Sequence, residues 1–269
     1  MAAFGDYQDI GVDLADHVAV VEIRRPPHNF FDHGLIAEIA DAFESLDQED
    51  DCRVLVLAAT GKSFCAGADF SAGGDFSDGD GNAANRTRPL SAGHLYQEAV
   101  RLMRTNKPII GAIHGAAVGG GLGLAMVPDL RVTCPEARFC ANFTRLGFHP
   151  GFGLSVTLPE LIGKSRAALM FYTSRRIKGD EAVEMGLADV LVSQDQVRGA
   201  AIELAAEIAT CSPLGVLATR ATIRDGLADR VAAATDHELE VQTELRQTED
   251  FGEGVKAMGE RRIPNFVGR

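Results

Sequence analysis

Cysteine is sparse and scattered in this 269-residue chain. The five thiols, Cys52, Cys65, Cys134, Cys140 and Cys211, include no Cys-x-x-Cys pair. An odd, irregularly spaced set builds neither a zinc site nor a disulfide framework. It reads as buried free thiols in a reducing cytosol. No cluster of metal-ligating residues stands out, so neither a metal nor a redox cofactor is expected. Basic residues are also short: 26 Lys and Arg face 38 Asp and Glu, a net charge of −12. That balance repels phosphate polymers, so nucleic acid is not an expected partner. A small phosphate-bearing molecule stays open, because local backbone amides outweigh a distant net charge. Met1 to Asp6 lacks the basic start and apolar run of a signal peptide. A long uncharged stretch, Pro108 to Pro128, carries six glycines and a central His114. It divides into a buried strand and a helix start rather than a membrane span. The expectation is a cytoplasmic protein with no membrane partner.

Nucleotide-binding signatures are missing too. A GxGxxG pattern counted from Gly119 or Gly121 meets Leu124 or Met126 where its last glycine belongs. Gly61-Lys62-Ser63 and Gly163-Lys164-Ser165 imitate a P-loop ending, but Val56 and Leu158 stand where the first glycine is needed.

What is present is ordinary for a globular protein: 46% hydrophobic and 24% charged residues, enough chain for a large core. Val18–Ile23, Val54–Ala59, Ile109–Ile113, Leu130–Thr133 and Ala188–Val192 read as strands. Val54–Ala59 is apolar throughout, as in a sheet covered on both faces. Helical spacing covers Leu35–Leu46, Ser91–Thr105, Gly120–Val127, Pro150–Leu161 and Ser165–Thr173, then most of the chain beyond Asp195. Ser71–Arg88 is rich in Gly, Asp, Asn and Ser and reads as a mobile loop placed to act as a lid. Alternating strands and helices followed by helices predict an α/β core with a helical C-terminal part.

Two glycine-rich turns follow the best strands: Ser63-Phe64-Cys65-Ala66-Gly67-Ala68-Asp69, and His114-Gly115-Ala116-Ala117-Val118-Gly119-Gly120-Gly121-Leu122-Gly123. Small residues let a ligand approach the main chain, and the second turn opens a helix whose first amides lack internal partners. Together they can offer two N–H donors to one developing anion.

Phe64–Asp69 resembles the F-[CS]-A-G-A-D element of the crotonase (enoyl-CoA hydratase/isomerase) superfamily, and Lys107–Met126 resembles its second signature. Pro150-Gly-Phe-Gly, Leu161-Ile-Gly-Lys, Ala182–Asp189 and Arg261–Phe266 match later landmarks, so the similarity runs from about Val18 to Phe266. The resemblance implies an α/β crotonase-like (ClpP/crotonase) spiral of β-β-α turns with a C-terminal helical trimerisation region. Residues 1–200 would form the spiral core with the acyl-CoA site, and 201–269 the helices for oligomerisation and pocket closure. It also implies a homotrimer or a hexamer made as a dimer of trimers. The partner would be an acyl-CoA thioester, with CoA arriving as part of the substrate. The N–H groups of Ala68 and Gly120 would form the oxyanion hole. Substrate contacts would come from His28, Asn29, Ala66, Gly67, Asp69, Phe70 and Gly119, with Arg261 reaching a phosphate. Where family members often carry a lysine after Arg-Pro, this chain has Pro27.

The resemblance breaks at the acid/base groups. The two glutamates of a hydratase fall at Gly123 and Phe143, and the aspartate that some relatives use falls at Gly151. Water addition needs a base for water and an acid for the α-carbon. Neither Gly123 nor Phe143 moves a proton, so both become pocket wall in this reading. His149, beside the emptied second position, and His94, at the start of the helix after the loop, are the candidate replacements, since imidazole titrates near neutrality. The duller readings are a packed histidine and a helix cap. Three functions are open: enolate chemistry on an acyl-CoA as a lyase or isomerase, hydrolysis of a thioester or β-dicarbonyl C–C bond, and acyl-CoA binding without turnover.

Overall fold

The computed structural model describes residues 5–69 and 94–269. Phe70, the loop expected over Ser71–Arg88 and the helix start expected at Ser91 lie outside them.

Strand β1 (Ile10–Ala15) forms a hairpin with β2 (Val18–Ile23), turning at Asp16 and His17, both left-handed. Parallel strands β3 (Val54–Ala59), β5 (Ile109–Ile113), β7 (Leu130–Thr133) and β10 (Val190–Leu191) extend it to a six-stranded sheet in the order β1-β2-β3-β5-β7-β10. A second, four-stranded sheet runs β4 (Ser63–Cys65), β6 (Ala116–Val118), β8 (Arg138–Cys140), β9 (Ile177–Lys178). The chain alternates between the sheets: β3 then β4, β5 then β6, β7 then β8. Helix α2 (Leu95–Met103) lies between β4 and β5, and α3 (Gly120–Ala125) between β6 and β7. This is the expected spiral of β-β-α turns.

The long apolar strands sit where the pattern puts them, because only a strand covered on both faces tolerates an unbroken apolar run. Helix α1 (His33–Asp47) packs against β1 and β2, and α7 (Val197–Ala209) against β2, β3, β5 and β7. The 200/201 boundary therefore falls inside a helix that belongs to the core. Strands β4, β6 and β9 escape a reading by periodicity, being three residues or fewer. The helix expected from Pro150 begins later, as α4 (Leu154–Ile162). Phe152 (φ 64°) and Gly153 (φ 72°) are left-handed, and no right-handed helix passes through them.

After α5 (Lys164–Thr173) and α6 (Gly179–Glu184), the chain ends in α8 (Pro213–Ile223), α9 (Leu227–Leu245) and α10 (Glu249–Gly259). Asp129 fastens α8 to the core, accepting from Arg220 Nε (2.8 Å), Arg224 (2.8 Å) and the N–H of Ile109 (2.8 Å). Burial pushes the Asp129 carboxyl up, but the two guanidinium groups outweigh it and hold it below the usual range. Helix α9 crosses onto α2 and α4. Among the described residues, no single helix is long and apolar enough to cross a membrane.

Candidate active site

Strands β4 and β6 are parallel neighbours, so their following turns leave the sheet side by side. The close approach depends on glycine. Gly67 is left-handed (φ 86°), and a Cβ there would stand 2.6 Å from the Val118 carbonyl oxygen and 3.9 Å from the Gly120 nitrogen. A Cβ on Gly121 would stand 2.1 Å from the Cys65 carbonyl oxygen. The N–H of Ala66 donates to His28 O (3.0 Å) and that of Gly119 to Cys140 O (2.9 Å). The N–H groups of Ala68 and Gly120 meet no carbonyl among the described residues.

Both turns open into a cavity of about 320 Å³. Strand β8, the next neighbour of β6, adds Asn142 and Phe143 from its own C-terminal end. Phe30, Phe31, Leu95, Leu146, Phe148, Phe152 and Met258 supply most of the remaining wall. Among the described residues its polar side chains are Asp69, His94, Tyr96, Asn142, Gln242 and Arg246.

The expected site residues divide. Ala66, Gly67, Ala68, Asp69, Gly119, Gly120, Phe143 and His94 line the cavity. Gly123 does not: a Cβ there would stand 2.6 Å from the Phe152 Cβ, so Phe152 fills the space where a side chain from that position would project. Phe143 packs edge-on against Phe148, with centroids 5.6 Å apart. Hydrocarbon thus occupies both positions expected of hydratase carboxylates. At Gly151, a Cβ would meet the Tyr96 hydroxyl.

His149 also lies outside the cavity lining. Its Nδ1 sits 2.8 Å from Pro150 O, its carbonyl accepts from Gln242 Nε2 (2.7 Å), and its ring faces His237 at 6.0 Å. The cause is the turn that follows. Buried Glu238 of α9 accepts from Gly153 N (2.8 Å), Ser155 N (3.0 Å) and Ser155 Oγ (2.5 Å). That clamp, with its left-handed Phe152-Gly153 pair, sends Phe152 inward and leaves His149 against α9. Burial pushes the Glu238 carboxyl above its ordinary range, although these donors oppose the shift.

Three expected binding residues stand elsewhere. Asn29 is buried and left-handed (φ 51°), and its amide donates to Thr60 O (2.6 Å) and Ser63 O (2.8 Å). It braces the loop before the first glycine-rich turn. His28 is exposed and reaches the turn through its carbonyl, and Arg261 is exposed just past α10. Phe70 lies outside the described residues.

His94 is the imidazole in the cavity. It caps α2, its Nδ1 accepting from the N–H of Tyr96 (3.2 Å). The neutral ring therefore carries its proton on Nε2. Burial, then the positive Arg246 and then His33, push its pKa down to about 4. At neutral pH His94 is a neutral imidazole at the cavity wall, with its basic nitrogen engaged.

Sequence reasoning missed Asn142, Gln242, Arg246 and Phe152, and left Tyr96 without a face. Gln242 and Arg246 are four apart and share one face of α9. That spacing is legible, but which face meets the cavity follows from how α9 crosses α2 and α4. The Tyr96 hydroxyl donates to Gln242 Oε1 (2.9 Å), tying α2 to α9, and its burial raises the phenol above its ordinary range.

A sequence model of the enoyl-CoA hydratase/isomerase family matches residues 13–269. The chain belongs to this family. Crotonyl-CoA hydratase of Syntrophomonas wolfei is 31% identical over 266 residues, covering 98% of this chain and 99% of its own. (E)-benzylidenesuccinyl-CoA hydratase of Thauera aromatica is 32% identical, covering 96% and 99%. Among solved structures, an enoyl-CoA hydratase/isomerase from Pseudoalteromonas atlantica has a TM-score of 0.83 at 27% identity, covering 97% of this chain and all of that one. This chain is therefore an enzyme of the enoyl-CoA hydratase/isomerase family, whose members are lyases and isomerases.

Proposed function

We propose that this enzyme binds an acyl-CoA thioester with its carbonyl oxygen between the N–H groups of Ala68 and Gly120 and stabilises the enolate formed there. The observation that carries this reading is that two N–H donors, neither committed among the described residues, come from adjacent parallel strand ends to one cavity. Each donor of such a pair contributes about 3 kcal/mol when aimed at a developing oxyanion. The phenylalanine walls exclude water and strengthen both.

The acid/base half differs from two-carboxylate hydration. Phe152 blocks Gly123, Phe143 faces the cavity as hydrocarbon, and His94 presents Nε2–H. This set favours chemistry in which a neutral side-chain donor assists the two backbone donors, and we assign that donor to His94 in place of His149. A second reading is hydrolysis of a thioester or β-dicarbonyl C–C bond, in which the oxyanion hole bears most of the barrier reduction.

The decisive experiment incubates saturated and unsaturated acyl-CoAs with the enzyme in heavy water and reads the masses. Water addition or α-deuterium uptake supports enolate chemistry, and acyl loss supports hydrolysis. Binding without any mass change on the panel would overturn both. His94→Ala is expected to lower turnover about 100-fold with acyl-CoA binding retained, and unchanged turnover would remove His94 from the mechanism.

We also place assembly in the C-terminal region. Leu214 and Ile223 of α8 are each 79% exposed beside a groove of about 780 Å³. Two further copies of this chain are the proposed cover, as a trimer or a pair of trimers. Sedimentation at micromolar concentration tests this, and a monomer would refute it. A cytoplasmic location is proposed from the free thiols, four of them buried.

A further inference from the structure

The ends of β4, β6 and β8 stand in a row, because the three strands are parallel neighbours. The turns after the first two carry the Ala68 and Gly120 N–H groups. The third is followed by Asn142, two residues past β8, whose side chain also lines the cavity. The main chain fixes this residue from both sides. The N–H of Gly119 donates to Cys140 O (2.9 Å), and Asn142 O accepts from the N–H of Leu146 (3.2 Å) across the short turn Thr144–Leu146. A Cβ on Gly119 would stand 3.0 Å from Asn142 Oδ1. The carboxamide therefore lies against the bare face of Gly119, one residue before the Gly120 donor.

The other polar side chains of the cavity are engaged. Tyr96 bonds Gln242, Gln242 also reaches the His149 carbonyl, and His94 Nδ1 accepts from the N–H of Tyr96. Asp69 and Arg246 have partners as well. The Asn142 carboxamide makes no hydrogen bond among the described residues. Phe143, Leu146 and Phe148 share its stretch of the lining. Desolvating a carboxamide beside hydrocarbon is costly unless a hydrogen bond replaces its water, so a ligand that fills this cavity must bring a polar group to it. Neighbouring strands lie about 4.8 Å apart. That spacing is comparable with the span from a thioester carbonyl oxygen to an oxygen on the β-carbon.

We infer that Asn142 is a specificity-determining residue that hydrogen-bonds an oxygen on the β-carbon of the acyl group, while the thioester carbonyl occupies the Ala68 and Gly120 donors. A hydroxyl suits it best. Both groups donate and accept, so the pair forms whichever way the carboxamide is turned. The inference rests on the acyl-CoA reading above.

Titration calorimetry of β-hydroxybutyryl-CoA and butyryl-CoA tests it, since the two acyl groups differ by one oxygen and neither carries the enoyl double bond. Each titration is fitted over the interval in which mass spectrometry finds the thioester unchanged. Wild type is expected to bind β-hydroxybutyryl-CoA about 10-fold more tightly. Asn142→Leu, close to the same shape, should bring the two ligands within about 3-fold of each other and leave butyryl-CoA bound as by wild type. Asn142→Asp, which still accepts from a hydroxyl, should keep part of the preference. Equal binding of the two thioesters by wild type overturns this inference alone. A preference that survives in Asn142→Leu, or equal weakening of both ligands there, also overturns it and makes Asn142 a part of the fold. If wild type binds neither, the acyl-CoA reading itself fails. Unchanged butyryl-CoA binding and melting temperature in Asn142→Leu separate a local effect from unfolding.

Discussion

The two halves of the cavity are built from different material. One half is main chain: the turns after β4 and β6, where Gly67 and Gly121 bring backbone within reach of backbone. The other half is side chain: Phe143, Phe148 and Phe152, with His94, Tyr96, Gln242 and Arg246 arriving from helices. Any Cβ at Gly67 or Gly121 collides with a carbonyl that cannot move without moving a strand. The helix-borne half has no such constraint, since exchanging one side chain there leaves the strands in place. A family enzyme can thus keep the main-chain half of its cavity and exchange the side chains that face it.

Gly67→Ala strikes the main-chain half and should have the largest effect. The left-handed φ and the 2.6 Å approach to Val118 O are expected to cost about 3 kcal/mol or more. Turnover should fall at least about 100-fold with the displaced Ala68 donor. Thermal melts and steady-state rates check this, and near-wild-type values in both would show that the turns need not meet so closely.

Gly123→Glu probes the other half. The new carboxylate runs into Phe152, and overpacking of this kind costs about 1–3 kcal/mol. Adding Phe152→Ala should return about 1 kcal/mol of that cost through direct coupling. The double variant should also add water to crotonyl-CoA faster than either single variant. A double-mutant cycle by chemical denaturation, with additive effects, would mean that Phe152 does not occupy the carboxylate's space.

The smallest effect concerns His94. Its folded pKa of about 4 lies below the ordinary histidine value. Between about pH 6.5 and 4 the unfolded chain binds a proton that the folded one refuses, so this contribution weakens stability as pH falls. His94→Gln, which cannot titrate, should show a smaller drop in melting temperature from pH 7 to pH 5 than wild type. An equal drop would place His94 in a more solvated site.

Much of the fold was legible because its strongest signals are local. The apolar runs at Val54–Ala59 and Ile109–Ile113 match β3 and β5 residue for residue, since a two-sided strand leaves no polar position to blur its limits. The strands of the small sheet are too short to show a period, so their pairing could not be read. Within the site, the glycine turns were legible for the same local reason: positive φ and close approach select glycine in the residue itself. His149 shows the limit. Its closeness in sequence to the expected carboxylate position suggested catalysis, but the Glu238 clamp turned the chain so that Phe152, three residues on, entered the cavity instead.

The amino-acid sequence alone determined the family and the long apolar strands β3 and β5, because each is encoded in contiguous residues with a required conformation. Only the tertiary structure decided that Phe152 covers Gly123, that His94 faces the cavity with its basic nitrogen engaged, and that Gln242 and Arg246 cross over from α9. Those outcomes depend on the angle at which distant helices pack, and that angle follows from the sum of many side-chain contacts rather than from any one segment.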